Sequence, residues 1–101
     1  MSEDLQVIAT LVAKKGHEAT VRNLLLPAVR QFRGEPGCGG YVLLEDKKVS
    51  GTFLTYETWA DQSALDVHMK SAVMSELAPK LKPLLKDEIK QDLLLVLLEL
   101  S

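Results

Sequence analysis

The sequence predicts an α+β fold: a four-stranded antiparallel sheet with helices on one face, in the order β-α-β-β-α-β. Three observations lead there. Apolar stretches of strand length open and close the chain and occur twice in its middle. Amphipathic segments with the three-and-four spacing of helices lie between them. A polar turn joins the two middle stretches as a hairpin. At 101 residues the chain has room for one domain, residues 1–101.

The first strand is expected over residues 5–13 and is apolar on both faces. Leu5, Val7, Ala9 and Leu11 share one side, while Ile8 and Val12 lie on the other beside Gln6 and Thr10. Lys14-Lys15-Gly16 turns the chain. Over residues 17–33, Val21, Leu24, Leu25, Ala28 and Phe32 draw a single helical stripe. Pro27 lacks a backbone donor and is expected to bend this helix, which Gly34-Glu35-Pro36-Gly37 then stops.

Residues 40–45 and 52–59 read as the hairpin strands. Asp61 can cap a helix over residues 62–70, and Ser71 the next, in which Val73, Leu77, Leu81 and Leu84 keep the helical period. Pro79 and Pro83 make its end irregular. Residues 89–100 read as a last strand buried on both faces. This order is the ferredoxin-like arrangement. Helices cover only one face of such a sheet, yet its first and last strands are apolar on both. The uncovered patch would exceed the few hundred Å² a monomer tolerates, so a homodimer packed sheet against sheet is expected.

Composition narrows the function classes. Apolar residues make up 47% and charged residues 26%, a balance that favours neither disorder nor a membrane protein. The longest apolar run, residues 93–98, is far below the roughly 18–20 residues that cross a bilayer, so no membrane partner is expected. Twelve basic against fourteen acidic residues give a net charge of −2 and no basic field for nucleic acid. One cysteine excludes an internal disulfide and a thiolate cluster, and two distant histidines make a poor metal site. The acidic start lacks the basic head of a signal peptide, so a cytoplasmic location is expected.

The chemistry-bearing residues concentrate near residues 55–69. Phe53, Thr55, Glu57 and Trp59 alternate onto one strand face, and His68 sits on the apolar stripe of the following helix with Leu65. A helix folding back over the sheet hangs His68 above Glu57 or Thr55. A carboxylate facing an imidazole in an apolar cleft can exchange protons with a phenol or enol. The plainer reading makes His68 a core histidine satisfied by Glu57, with Trp59 filling volume. Cys38 reads as filler without a cationic neighbour. Gly37, Gly39 and Gly40 precede a strand and so form no phosphate loop. His17 and the lysines at 80, 82, 86 and 90 read as solvated surface.

Four stretches, Lys15-Gly16-His17-Glu18, Glu35-Pro36-Gly37-Cys38, Tyr56-Glu57-Thr58-Trp59 and Ala64-Leu65-Asp66-Val67-His68 with Ser71, occur in an order and spacing that resembles the antibiotic biosynthesis monooxygenase domain. The likeness is strongest to its small quinol-monooxygenase-like members. It implies the dimeric α+β barrel fold and oxidation of a small aromatic substrate by molecular oxygen without metal or other cofactor. Carried onto this chain, it makes Glu57 and His68 the acid/base pair and Trp59 the wall for a stacked aromatic ring. Tyr41 and Thr55 become hydrogen-bonding candidates, and Met69, with Met74 and Leu77, sets the pocket size. Haem-degrading relatives carry asparagine and histidine where this chain has Ala9 and Ala78, so haem is not implied. A related branch isomerises a phosphorylated signalling sugar, but no clear arginine awaits a phosphate here. A non-enzymatic small-molecule-binding barrel is the remaining alternative.

Overall fold

The computed structural model describes residues 4–99; the first three residues of the acidic start and residue 100 of the expected last strand lie outside them. The elements are β1 (Leu5–Val12), α1 (Glu18–Phe32), β2 (Cys38–Glu45), β3 (Thr52–Trp59), α2 (Gln62–Met69), α3 (Ala72–Leu81) and β4 (Lys90–Leu95). A single 3-10 turn, Lys82–Leu84, follows α3. The strands form one antiparallel sheet in the order β2-β3-β1-β4. This is the ferredoxin-like topology that the element order predicts.

Register places the two faces. Val7 pairs with Glu57 and Leu93, Glu57 pairs with Tyr41, and Ala9 pairs with Thr55 and Gln91. These residues lie on the face that the helices cover. The core forms there: Val7, Val21, Phe32, Phe53 and Trp59 are fully buried. Apolar burial on this face supplies most of the driving force for the fold, at about 25 cal/mol per Å².

Helix ends follow their capping residues. Asp61 Oδ1 accepts a hydrogen bond from the Ala64 N–H at 2.8 Å, and Ser71 Oγ accepts one from the Met74 N–H at 3.2 Å. The expected helix end at residue 70 falls one residue later than α2 closes. Helix α1 runs through Pro27 without interruption, its stripe of Val21, Leu25, Ala28 and Phe32 held in the core. Burial of that stripe outweighs the donor lost at Pro27. Strand β2 begins at Cys38, two residues before the expected start, with a shift in register between Cys38 and Gly40.

The last segment departs further from expectation. Strand β4 ends at Leu95, and it is not buried on both faces: Leu93, Leu94 and Leu95 are exposed, Leu95 at 67%. The cause is position. β4 is an edge strand, so no neighbouring strand covers its outer side. Beyond it Leu97 is 95% exposed. The opposite sheet face is open as well, with Val42, Leu44, Tyr56 and Leu94 each about half exposed.

Two ties hold α1 and the 34–37 corner against this frame. Arg22 forms a bidentate pair with Glu45, at 3.0 and 2.7 Å, and its guanidinium lies 5.7 Å from the Phe53 ring centroid. The pair holds the Glu45 carboxyl well below its usual range, at about 2. Gly37 has φ +79°, and a Cβ there would fall 2.5 Å from the Ala64 Cβ on α2. The corner can therefore nest against α2 only with glycine at this position. Gly37→Ala is expected to destabilise the protein by about 1–3 kcal/mol, measured by denaturant unfolding; an unchanged midpoint would show that the corner is not held by this approach.

Candidate active site

Three consecutive inward positions of β3 build the polar centre. The Glu57 carboxylate is 2% exposed. Its Oε2 accepts a hydrogen bond from Thr55 Oγ1 at 2.6 Å, and its Oε1 accepts one from Trp59 Nε1 at 2.8 Å. Strand alternation makes this local: residues 55, 57 and 59 point the same way, so a threonine and a tryptophan solvate the carboxylate between them. Each is a charge-assisted bond to an acceptor that has left water.

His68 descends onto this centre from α2 and is likewise 2% exposed. Its Nε2 lies 4.0 Å from Glu57 Oε1, while its Nδ1 lies 2.7 Å from Glu35 Oε1. The imidazole is stacked on the Trp59 indole, with centroids 4.6 Å apart and planes 25° apart. The Phe32 ring meets it edge to face at 4.5 Å. Packing on both sides fixes the plane of the ring.

A cavity of about 330 Å³ opens beside the pair. Glu57, His68, Thr55, Tyr41 and Gln91 are its polar lining residues; Leu25, Phe32, Leu77 and Leu81 supply much of its apolar wall. Met69 and Met74 also line it, and Met69 is exposed and accepts a contact from Gln91 Nε2 at 3.8 Å. The volume is within the range of small-molecule pockets. The Tyr41 phenol is held far above the usual tyrosine range, first by burial and then by the Glu57 carboxylate beside it. It is therefore a hydrogen-bond donor in this cavity and not an anion. Burial also pushes the Cys38 thiol up, away from the reactive thiolate.

The structure thus brings Glu57, His68, Thr55, Tyr41 and Met69 to one cavity. Trp59 is placed differently from the expected ring-stacking wall. It is fully buried behind the imidazole and lies outside the cavity lining, where its partners are His68 and Glu57. Glu35 is the residue that sequence reasoning missed. In the sequence it appears in the helix-stopping turn and in the Glu35-Pro36-Gly37-Cys38 stretch, but 33 positions from His68 and with no site role assigned. Among the described residues no group of three or more His, Cys, Asp or Glu side chains is placed to hold a metal ion.

The raised Tyr41 phenol gives a pH expectation. The unfolded tyrosine releases its proton near pH 10 while the folded one keeps it, so its contribution to stability is complete below about pH 10 and is lost as pH rises above that. In a spectrophotometric titration the folded wild type should show the same phenolate absorbance as Tyr41→Phe up to about pH 11. A larger rise in the wild type would mean that Tyr41 ionises in the folded state.

Comparison with known proteins agrees with this architecture. The family model described as antibiotic biosynthesis monooxygenase matches residues 5–80. The crystal structure of PA3566 from Pseudomonas aeruginosa is 33% identical, with a TM-score of 0.91 over 97% of this chain and 98% of that one. Rv0793 from Mycobacterium tuberculosis is 26% identical, with a TM-score of 0.90 over 98% of this chain and 100% of that one. SnoaB, a cofactor-independent oxygenase from Streptomyces nogalater, shares the fold at a TM-score of 0.84 and 15% identity, over 98% of each chain. An uncharacterized Synechocystis protein, sll1783, is 38% identical over 57 residues, 56% of this chain. That match spans 39% of the relative's length. The family model covers most of the strands and helices that carry the cavity, and the chain belongs to the antibiotic biosynthesis monooxygenase family.

Proposed function

We propose that the protein is a cofactor-independent monooxygenase that oxidises a quinol or polyphenolic small molecule with molecular oxygen, working as a homodimer. One observation carries the reading: a buried imidazole and a buried carboxylate meet on the wall of an otherwise largely apolar cavity. A hydroquinol ring in this reading occupies that cavity, which Phe32 and Leu77 help to line, with its hydroxyl toward His68 and the Tyr41 phenol. In this reading His68 is the base, and Glu57 stabilises the imidazolium that forms. Thr55 and Trp59 keep Glu57 in place by occupying both its oxygens.

The reaction balances without an added reductant. The phenolic proton passes to His68, and the electron-rich phenolate donates to oxygen at a ring carbon that bears hydrogen. A C–O bond forms, and the proton that His68 returns makes the peroxide a hydroperoxide. The ring C–H proton then passes to His68 as the O–O bond breaks, and the departing hydroxide takes that proton from His68 and leaves as water. A hydroquinol and O2 thus become a hydroxylated quinone and water. The apolar wall keeps bulk water from the carbanion-like intermediate, and the substrate supplies all the electrons.

The homodimer is supported by the open sheet face, where Val42, Leu44, Tyr56 and Leu94 form an apolar surface that a second sheet would cover. Size-exclusion chromatography with light scattering should give a mass twice that of the chain; a stable monomer at micromolar concentration would remove this part of the reading.

Catalysis is tested with an oxygen electrode and a panel of reduced quinones and polyphenols after chelation. His68→Ala should lower kcat by about 100-fold or more, the share that general-base catalysis ordinarily supplies. Glu57→Gln should lower it as well, because the amide nitrogen cannot accept from Thr55 or Trp59. Full oxygen uptake by both variants would refute the assignment. Quinol binding by the wild type with no oxygen consumed would leave a binding protein in place of an enzyme.

A further inference from the structure

We propose that Glu35 is a positioning residue that holds the His68 proton on Nδ1 and so leaves the Nε2 lone pair facing Glu57 and the cavity. The inference rests on the proposed use of His68 as the base. An ionised carboxylate can only accept hydrogen bonds, so at 2.7 Å Glu35 Oε1 requires a proton on Nδ1. A neutral imidazole carries one proton, and Nε2 is then unprotonated. At 4.0 Å from Glu57 Oε1, Nε2 is not tied up in a hydrogen bond and can take a proton from a bound phenol. Once it does, the imidazolium lies between two carboxylates.

The ring cannot evade this arrangement by rotating. Trp59 stacks on the imidazole and the Phe32 ring meets it at 90°, so a half-turn of the ring, which would put carbons where the two nitrogens stand, is opposed by both aromatics. The titratable groups facing His68 are Glu35 from the loop after α1, Glu57 on β3 and Tyr41 on β2; Cys38 on β2 feels both carboxylates. Among the described residues Glu35 alone reaches Nδ1. Its side chain is 15% exposed, against 2% for the imidazole. The nested Gly37 corner sets this position, because it brings residues 34–37 against α2.

The proton's location is measured directly by nitrogen-15 long-range correlation NMR of the substrate-free protein at about pH 8, above the ordinary histidine range. The chain has two histidines, and a His17→Gln variant assigns the signals. The wild type should show a neutral His68 ring with a protonated Nδ1 and a bare Nε2. In Glu35→Ala the equilibrium should move toward the Nε2-protonated form. The kcat for oxygen uptake should fall about 10–100-fold, as when the orienting partner of a histidine is removed. KM should change by less than about 3-fold, since Glu35 lies outside the cavity lining. Glu35→Gln, whose amide oxygen can still accept from Nδ1, should restore part of both.

A wild-type ring with its neutral proton on Nε2, a ring holding both protons at that pH, or an unchanged tautomer in Glu35→Ala would overturn the inference. The wild-type spectrum serves even if a variant fails to fold. If the tautomer shifts as expected but no quinol is oxidised by the wild type, the assignment of Glu35 stands and the oxidation reading alone fails.

Discussion

A carboxylate removed from water is the constraint around which the rest of the structure is arranged. Glu57 sits in the middle of the covered sheet face, where an unpartnered charge would be costly. Its neighbours on the same strand face, Thr55 and Trp59, donate to its two oxygens. The tryptophan thereby acquires two roles at once. Its N–H solvates the carboxylate, and its ring is the platform on which the imidazole rests. A polar centre satisfied in this way is rigid, and a rigid centre can hold a base at a fixed distance from a cavity.

Three elements that are remote in sequence converge there. β3 supplies the carboxylate, α2 the imidazole, and the corner after α1 the second carboxylate. Each is anchored by a local feature: the alternation of β3, the Asp61 cap that starts α2, and the close approach of Gly37 to Ala64. The cavity exists because the helices that cover the sheet are lined there by leucine, methionine and phenylalanine, while β3 contributes polar atoms from below. Oxidation of a bound phenol by oxygen, as proposed, requires of the protein little beyond these parts: a base, a dry wall and a donor such as Tyr41.

The two faces of the sheet have divergent characters. The helix-covered face holds the core and the cavity. The open face and the β4 edge present valine, leucine and tyrosine to the surroundings. The same residues that make β4 apolar on both sides are thus exposed in a single chain.

By itself the sequence determined the order of the elements, the caps at Asp61 and Ser71, and the shared face of Thr55, Glu57 and Trp59. These depend on periodicity and on side chains reaching their own backbone within a few residues, which are short-range effects. It also placed His68 on the inward side of α2, since an apolar stripe has one inward direction. Only the tertiary structure decided that Trp59 stands behind the imidazole instead of facing the cavity, because the stacking depends on the angle at which α2 crosses the sheet. Likewise, the pairing of Glu35 with His68 follows from how a turn nests against a distant helix. The exposure of the last strand followed from its place at the sheet edge, a consequence of topology that no local pattern of leucines encodes.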